Sequence, residues 1–536
     1  MAKPALAQSA AQITAIEQQI NELRQQLKQL KQEAARRDAA LAAAQHDAAE
    51  ARAQAAAEAR AQAAAVAAAP PPPQPVVAAA PPSPPVPPGE FRTGGLTIRL
   101  GGFIEAAGIF RSANETSDIA SSFSAIPLGN SPASHENEFR ESSRQSRISL
   151  LVHGEPDDVT KLTGYAEVDF QGAAPTANSN ESNSYNPRLR QLYAQYDRSD
   201  WGFEVLAGQA WSLITPTKHG ITARDENPPL VIDAQYVPGF SWTRQPQLRL
   251  VKQFPVQGVS LGISFENPQT VYNTSGYATA AGFPSGTNGV VLPVGGFANI
   301  NNAGGSGFAP TVNYSDEIAP DVIVKAAWDP GFGHYEVYGL ARFLHDRTDF
   351  VGGGNNATTL AGGGGVAAII PVIPSLLDFQ ANVLAGTGIG RYGSVGLPDA
   401  TIRPDGSPAP IPEVQALIGL IGHPNTSVDL YAYVGTEQEK RTSFTIAGKG
   451  YGYGSPLYVN SGCSSELSAL ACTGNTSGVT EGTIGAWWRF LHGNFGTMEV
   501  GAQYAYARRA TFQGIGGAPS ANENTVMLSF RYLPFQ

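Results

Sequence analysis

From Leu96 to the C-terminus, apolar and polar residues alternate in runs of about ten, the period of a strand that presents one face to each side. The first run is the clearest. Leu96, Ile98, Leu100, Gly102, Ile104, Ala106, Gly108 and Phe110 form one face; Thr97, Arg99, Gly101, Phe103, Glu105, Ala107, Ile109 and Arg111 form the other. One face suits lipid, the other water and charge, which is the pattern of a transmembrane β-barrel with a wet interior. Ile148, Leu150 and Val152 alternate in the same way with Arg147, Ser149 and His153. Leu162, Gly164, Ala166, Val168 and Phe170 alternate with Lys161, Thr163, Tyr165, Glu167 and Asp169. The last run sets Val526, Leu528, Phe530 and Tyr532 against Met527, Ser529 and Arg531. Sixteen runs can be counted; the fourth (Arg188 to Asp197) has no clean facing, and the tenth (near Gly364 to Pro371) is the weakest. Short turns alternate with long loops. An even number of runs so connected predicts an all-β, sixteen-stranded, antiparallel up-and-down barrel, whose closure removes the edges that lipid cannot satisfy. Short turns should face the periplasm and long loops the outside, with Trp201, Trp328, Trp488 and Tyr532 suited to the interfacial girdles.

The first ninety residues follow a different rule. Residues 9–69 read as an α-helix in which Ile13, Ile16, Ile20, Leu23, Leu27 and Leu30 keep the spacing of heptad a and d positions. Isoleucine at both positions favours three or four strands over two, so an oligomeric coiled coil is expected. The alternative is an amphipathic helix packed on its own barrel. Pro70 to Pro73, Pro75 and three later Pro-Pro pairs make the next stretch a semi-rigid polyproline II spacer. The expected organisation is a periplasmic coiled-coil helix over 1–69, a linker over 70–94 and a barrel over 95–536. Ala5-Leu6-Ala7 fits a signal cleavage site without the apolar core that should precede it, which suggests a truncated or near-mature start.

Composition narrows the picture without deciding it. Charged residues are 15%, below the roughly 25% of a soluble domain. No apolar run approaches the ~18 residues of a membrane helix, although a soluble secreted β protein would fit the same totals. The net charge is −10, and residues 1–90 hold eight basic and eight acidic side chains, so the excess lies in the rest. Cys463 and Cys472 sit in a loop rich in Ser, Thr and Gly, where a disulfide is expected in an oxidising compartment and two free thiols are the alternative.

The segment after the fifth run, about 210–239, carries Lys218, His219, Arg224, Asp225, Glu226 and Asp233. At about thirty residues it is too long for a simple hairpin. It holds the place in the strand count at which trimeric porins fold a loop into the barrel, and it is expected to narrow the pore; an external loop with solvated charges is the alternative. Closure would also bring Arg531, Arg99, Arg111, Arg147 and either Arg188 or Arg190 onto one stretch of wall, interrupted by Glu105, Glu167 and Asp169. Such charges select ions in pores, Arg and Lys favouring anions, unless they merely neutralise one another. Ser149 and His153 share a face, but four residues of strand separate them by roughly 13 Å, too far for a nucleophile and its base. No metal-ligand spacing or phosphate loop is present, and neither an enzyme, a cofactor nor a nucleic-acid partner is expected.

In this order along the chain, the heptad helix, the linker, Gly101-Gly102-Phe103-Ile104-Glu105, the stretch Arg144 to Gly154, Gly164-Tyr165-Ala166-Glu167-Val168-Asp169-Phe170, Arg190-Gln191-Leu192-Tyr193 and Gly386-Thr387-Gly388-Ile389-Gly390-Arg391-Tyr392 resemble the DcaP-like trimeric outer-membrane porins. The resemblance implies a sixteen-stranded trimer in the outer membrane of a Gram-negative bacterium, with a periplasmic coil. It also implies uptake of small anionic solutes such as dicarboxylates. The extended proline linker and Gly-rich loops depart from the family pattern. A neutral-sugar pore is one alternative, and a tether from the outer membrane to periplasmic or cell-wall components is another.

Overall fold

In a computed structural model of the chain, the described residues are 89–172, 185–279, 287–303 and 313–535, together with Gln25, Lys28, Glu50, Gln54 and Ala57. The chain divides into two units, Met1–Pro85 and Val86–Gln536. In the first, the five described residues are helical and exposed; Ile13, Ile16, Ile20, Leu23, Leu27, Leu30 and the linker prolines lie outside the described residues.

The second unit is a closed barrel. Its strands are β1 (Leu96–Arg111), β2 (Arg147–Asp157), β3 (Thr160–Asp169), β4 (Arg188–Arg198), β5 (Phe203–Trp211), β6 (Arg244–Phe254), β7 (Val259–Glu266) and β8 (Asp321–Trp328). There follow β9 (His334–Phe350), β10 (Gly353–Ile373), β11 (Leu377–Thr387), β12 (Pro412–Asn425), β13 (Val428–Glu439), β14 (Thr476–Gly493), β15 (Gly496–Thr511) and β16 (Ser520–Leu533). Each pairs antiparallel with the next. The ring closes where Ile104–Arg111 of β1 pair with Thr525–Tyr532 of β16. Closure satisfies each strand's N–H and C=O groups within the sheet, which matters in hydrocarbon because an unpaired one costs several kcal/mol.

Alternation sorts the side chains. Ile104, Ile148, Leu360 and Leu528 point outward and are more than half exposed, whereas Glu105, Arg190, Glu336 and Gln415 point inward and are buried. The fourth run lacks clean facing because β3 and β4 shift register between Glu167 and Val168, leaving consecutive Arg190 and Gln191 both buried. The tenth, weak in sequence, becomes β10, at 21 residues the longest strand. Its glycines carry no facing signal, but β9 pairs with it over Gly353–Ile369 and β11 over Gly362–Ile373. The alternation of short and long connections breaks once: only Val351 and Gly352 join β9 to β10 at the end where the other connections are longer. Elsewhere at that end the 112–146 connection adds a short strand, Glu138–Ser142, beside Ala107–Arg111. Cys463 and Cys472 are disulfide-bonded in the connection between β13 and β14.

The connection from β5 to β6, residues 212–243, is buried along most of its length, including Leu213, Ile214, Ile221, Ile232, Val237 and Phe240. Its hydrogen bonds reach six inward-facing side chains on five far strands. Thr217 N donates to Glu336 (2.9 Å), Leu230 N to Tyr433 (3.1 Å), Ile232 N to Gln503 (2.6 Å) and Gly239 N to Glu437 (2.8 Å). Ser241 Oγ donates to Gln415 (2.8 Å), and the Asn382 amide donates to Gly239 O (3.0 Å). The segment thus lies inside the barrel.

Candidate functional site: the barrel lumen

Where β16, β1, β2, β3, β4 and β6 adjoin, the inner wall is rich in arginine. Glu105 accepts from Arg531 Nε at 2.9 Å. Glu167 accepts from Arg190 Nε at 2.6 Å and lies 3.8 Å from Arg147. Asp169 accepts from Arg188 Nη2 at 2.7 Å and from Arg190 Nη1 at 3.0 Å. Counting Arg244 beside them, five arginines face three carboxylates, an excess of two positive charges. Arg147 Nε, Arg190 Nη2 and Arg244 Nη1 are buried with no protein acceptor.

The inward segment meets this wall through rings. Trp211, Tyr236, Phe240 and Trp242 pack together with centroids 5.2–6.1 Å apart. The Arg244 guanidinium lies over Trp211 at 4.7 Å and over Trp242 at 4.8 Å, within the range of cation–π attraction. Burial would push the Tyr236 hydroxyl up, but the positive charges of Arg190, Arg244 and Arg147 outweigh it and hold the group below the ordinary tyrosine range. The Tyr236 hydroxyl thus lies among guanidinium groups where the inward segment meets the wall. The loop's carboxyls behave oppositely: burial pushes Glu226 and Asp233 above their usual range.

On the short-turn side of the segment lies a cavity of about 820 Å³. Arg147, Lys218, Arg489 and Arg531 give it four permanent cations, against Asp329, Asp378 and Asp429. Phe103, Trp211, Tyr236 and Trp487 supply aromatic surface, with the Arg531 guanidinium 4.2 Å from the Trp487 ring. His219, His334 and His423 complete its ionisable lining. His423 bridges Asp429 (2.6 Å) and Asp378 (3.4 Å), and Arg489 also pairs with Asp429.

The residues marked in the sequence are thus divided. Arg147, Arg531, Lys218 and His219 line the cavity, and Glu105, Glu167, Asp169 and Arg190 stand behind it. Arg111 has no exposed surface; it is sealed against Glu115, Glu138 and the Asp118 carbonyl, so it cannot face a solute in the lumen. Asp233 is buried under the 112–146 connection, accepting from Ser121 N at 3.1 Å, and does not confront the arginines across an opening. Arg99 is exposed at the short-turn end of β1, opposite Glu90, away from the cluster. Arg224 bonds Tyr193 (3.0 Å), and Asp225 holds the His219 amide (3.0 Å). Arg244, Tyr236, Arg489, His334 and His423 escaped sequence reading. Only register across neighbouring strands brings them in, and no local spacing marks them.

No protein-family model matches the chain, and no curated protein sequence matches it. Among solved structures, the outer membrane channel DcaP of Acinetobacter baumannii superposes with a TM-score of 0.56 at 15% identity, covering 83% of this chain and 99% of the channel. An anion-selective porin from Comamonas acidovorans superposes more loosely, with a TM-score of 0.44 at 9% identity over 82% of this chain and 99% of the porin. With the closed ring of sixteen strands, the first likeness establishes the class of fold, a sixteen-stranded antiparallel up-and-down β-barrel. Within that class it is the DcaP channel's barrel that this chain resembles, over nearly that channel's whole length.

Proposed function

We propose that the protein is a passive outer-membrane porin for small anions, dicarboxylates among them, working as a homotrimer. The observation that carries this is the positive potential where the inward segment meets the wall: five arginines to three carboxylates, three buried N–H groups without protein acceptors, and a tyrosine hydroxyl held low among them. A small dianion passing this point exchanges water for the exposed guanidinium edges of Arg147 and Arg531, whose fork geometry fits a carboxylate, while the buried guanidinium groups act through their field. Arg147, Lys218 and Arg531 line the approach and concentrate anions before the narrowing, an effect that weakens as salt screens it. The net charge of −10 does not oppose this, because a solute in the pore meets the local charges within about 8–10 Å. The outward apolar face would contact lipid and neighbouring subunits.

Reversal potentials across a salt gradient in planar bilayers test the reading. Wild type should pass chloride in preference to potassium. Arg147→Gln with Arg531→Gln should move the reversal potential towards zero, and dicarboxylates should interrupt the current at millimolar concentration. Clear cation preference in the wild type would overturn the anion claim. The aromatic lining also suits sugar rings, so faster liposome swelling with neutral sugars than with dicarboxylates would favour that reading instead.

A further inference from the structure

Residues 215–220 of the inward segment are fastened to the wall of β8 and β9 by four ionisable side chains. Lys325 of β8, 3% exposed, donates Nζ to Thr215 O (2.7 Å) and to Glu336 Oε2 (2.9 Å). Glu336 Oε1 accepts from Thr217 N (2.9 Å) and Thr217 Oγ1 (2.6 Å), and lies 3.1 Å from His334 Nε2. His334 Nδ1 lies 2.7 Å from Asp329 Oδ1, and Asp329 Oδ2 accepts from Gly220 N (2.9 Å). The loop is therefore held at three points, and the last two bracket Lys218 and His219. Those two side chains are exposed and line the cavity. Thr217 also forms an antiparallel bridge with Glu226, which ties the bracket to the returning part of the segment. No ion pair forms at Lys218 Nζ among the described residues, so its charge is available to whatever occupies the lumen.

A backbone pinned immediately before and after a lysine fixes where that lysine's stem begins. Buried charges are costly to maintain. A hydrophobic wall would hold the barrel equally well, so this quartet calls for a purpose beyond packing. We infer that Lys325, Glu336, His334 and Asp329 form a latch that positions Lys218 in the pore, making them determinants of charge selectivity although none of the four need touch the permeating ion. The inference rests on the porin reading for its selectivity claim, whereas the latch itself is a property of the loop.

The test is a double-mutant comparison in planar bilayers with the full-length protein and potassium chloride. Lys218→Gln and Glu336→Gln are measured singly and together. Each single change should lower the ratio of chloride to potassium permeability, by about twofold for one positive charge in a screened pore. The pair should lower it no further than Lys218→Gln alone, because the latch acts through that lysine. An effect of Glu336→Gln that adds in full to that of Lys218→Gln, or no effect of Glu336→Gln, overturns the proposal. If Glu336→Gln does not assemble, Thr217→Val leaves the wall charges in place and removes one loop donor; the same non-additivity is then required of it. Hydrogen–deuterium exchange of residues 215–220 in detergent is the independent measure. It should quicken about tenfold in the latch variants while β2 to β7 are unchanged, and equal exchange would sink the latch even if the protein passed no current at all. Absence of current in the wild type with quickened loop exchange in the variants would refute the porin reading and leave the latch standing.

Discussion

At the scale of single residues, Tyr236 carries the most chemistry. Its hydroxyl lies among guanidinium groups that lower its ionisation range. When it ionises it places a negative charge among the wall arginines, so the direction is fixed: anion preference should fall as pH rises, starting below the usual tyrosine range near 10. Tyr236→Phe should abolish that part of the fall and leave the reversal potential at neutral pH almost unchanged. Reversal potentials from pH 7 to pH 11 in both proteins check this, since lysine titration is common to the two. An identical slope in wild type and Tyr236→Phe would contradict the placement of the hydroxyl. Arg111 shows the opposite lesson. In the alternating pattern it has the same parity as Arg99 and Glu105, and parity alone assigns it to the lumen. What it meets is the 112–146 connection, whose Glu115 and Glu138 neutralise it out of reach of solvent. Parity tells which face a side chain is on, but not what covers that face.

At the scale of elements, how well a strand can be read depends on its side chains. β1, β2, β3 and β16 are legible because branched and aromatic residues alternate cleanly with charges. β10 is nearly illegible, because four consecutive glycines, Gly362–Gly365, carry no facing information. Its length is set by the strands on either side, a tertiary constraint with no local trace. The β5–β6 connection is conspicuous by its length in the sequence alone. The side chains that receive it, on β9, β11, β12, β13 and β15, are scattered over more than 150 residues and give no such sign. The glycines of β10 nevertheless make a sharp prediction. Gly362 has φ +137°, and an added Cβ would fall 2.0 Å from the Leu340 carbonyl oxygen. At Gly364 the closest approach is 3.4 Å, to Tyr338 O. Gly362→Ala should destabilise the folded barrel by about 1–3 kcal/mol, the usual cost of a residue forced into such a conformation, whereas Gly364→Ala should cost less than about 1 kcal/mol. Urea midpoints by gel mobility of the unheated protein would separate the two, and equal midpoints would refute the local geometry.

At the scale of the whole molecule, the two units have unequal tasks. Among the described residues, the barrel's hydrogen-bond ring is complete within Val86–Gln536 and draws no strand from the first unit. Removing residues 2–88 should therefore leave barrel folding, single-channel conductance and reversal potential unchanged. Any change should be confined to the trimer population seen on native gels or to envelope integrity in cells. Loss of conductance would show that the ring depends on the N-terminal unit after all. Unchanged envelope integrity would count against the tether reading.

The seam between β1 and β16 has a consequence in time. Ser529 and Glu105, hydrogen-bonded at 2.5 Å, are 424 positions apart in the chain. During synthesis, the partner that seals β1 is made only after the fourteen strands between them. Until then, residues 104–111 offer an open edge, and the outward apolar faces of the earlier strands have no lipid to meet. Contacts between such distant positions form slowly. A nascent chain of this design must be kept apart from its own kind until β16 emerges, and losing that one strand would leave a sheet with two sticky borders in place of a vessel.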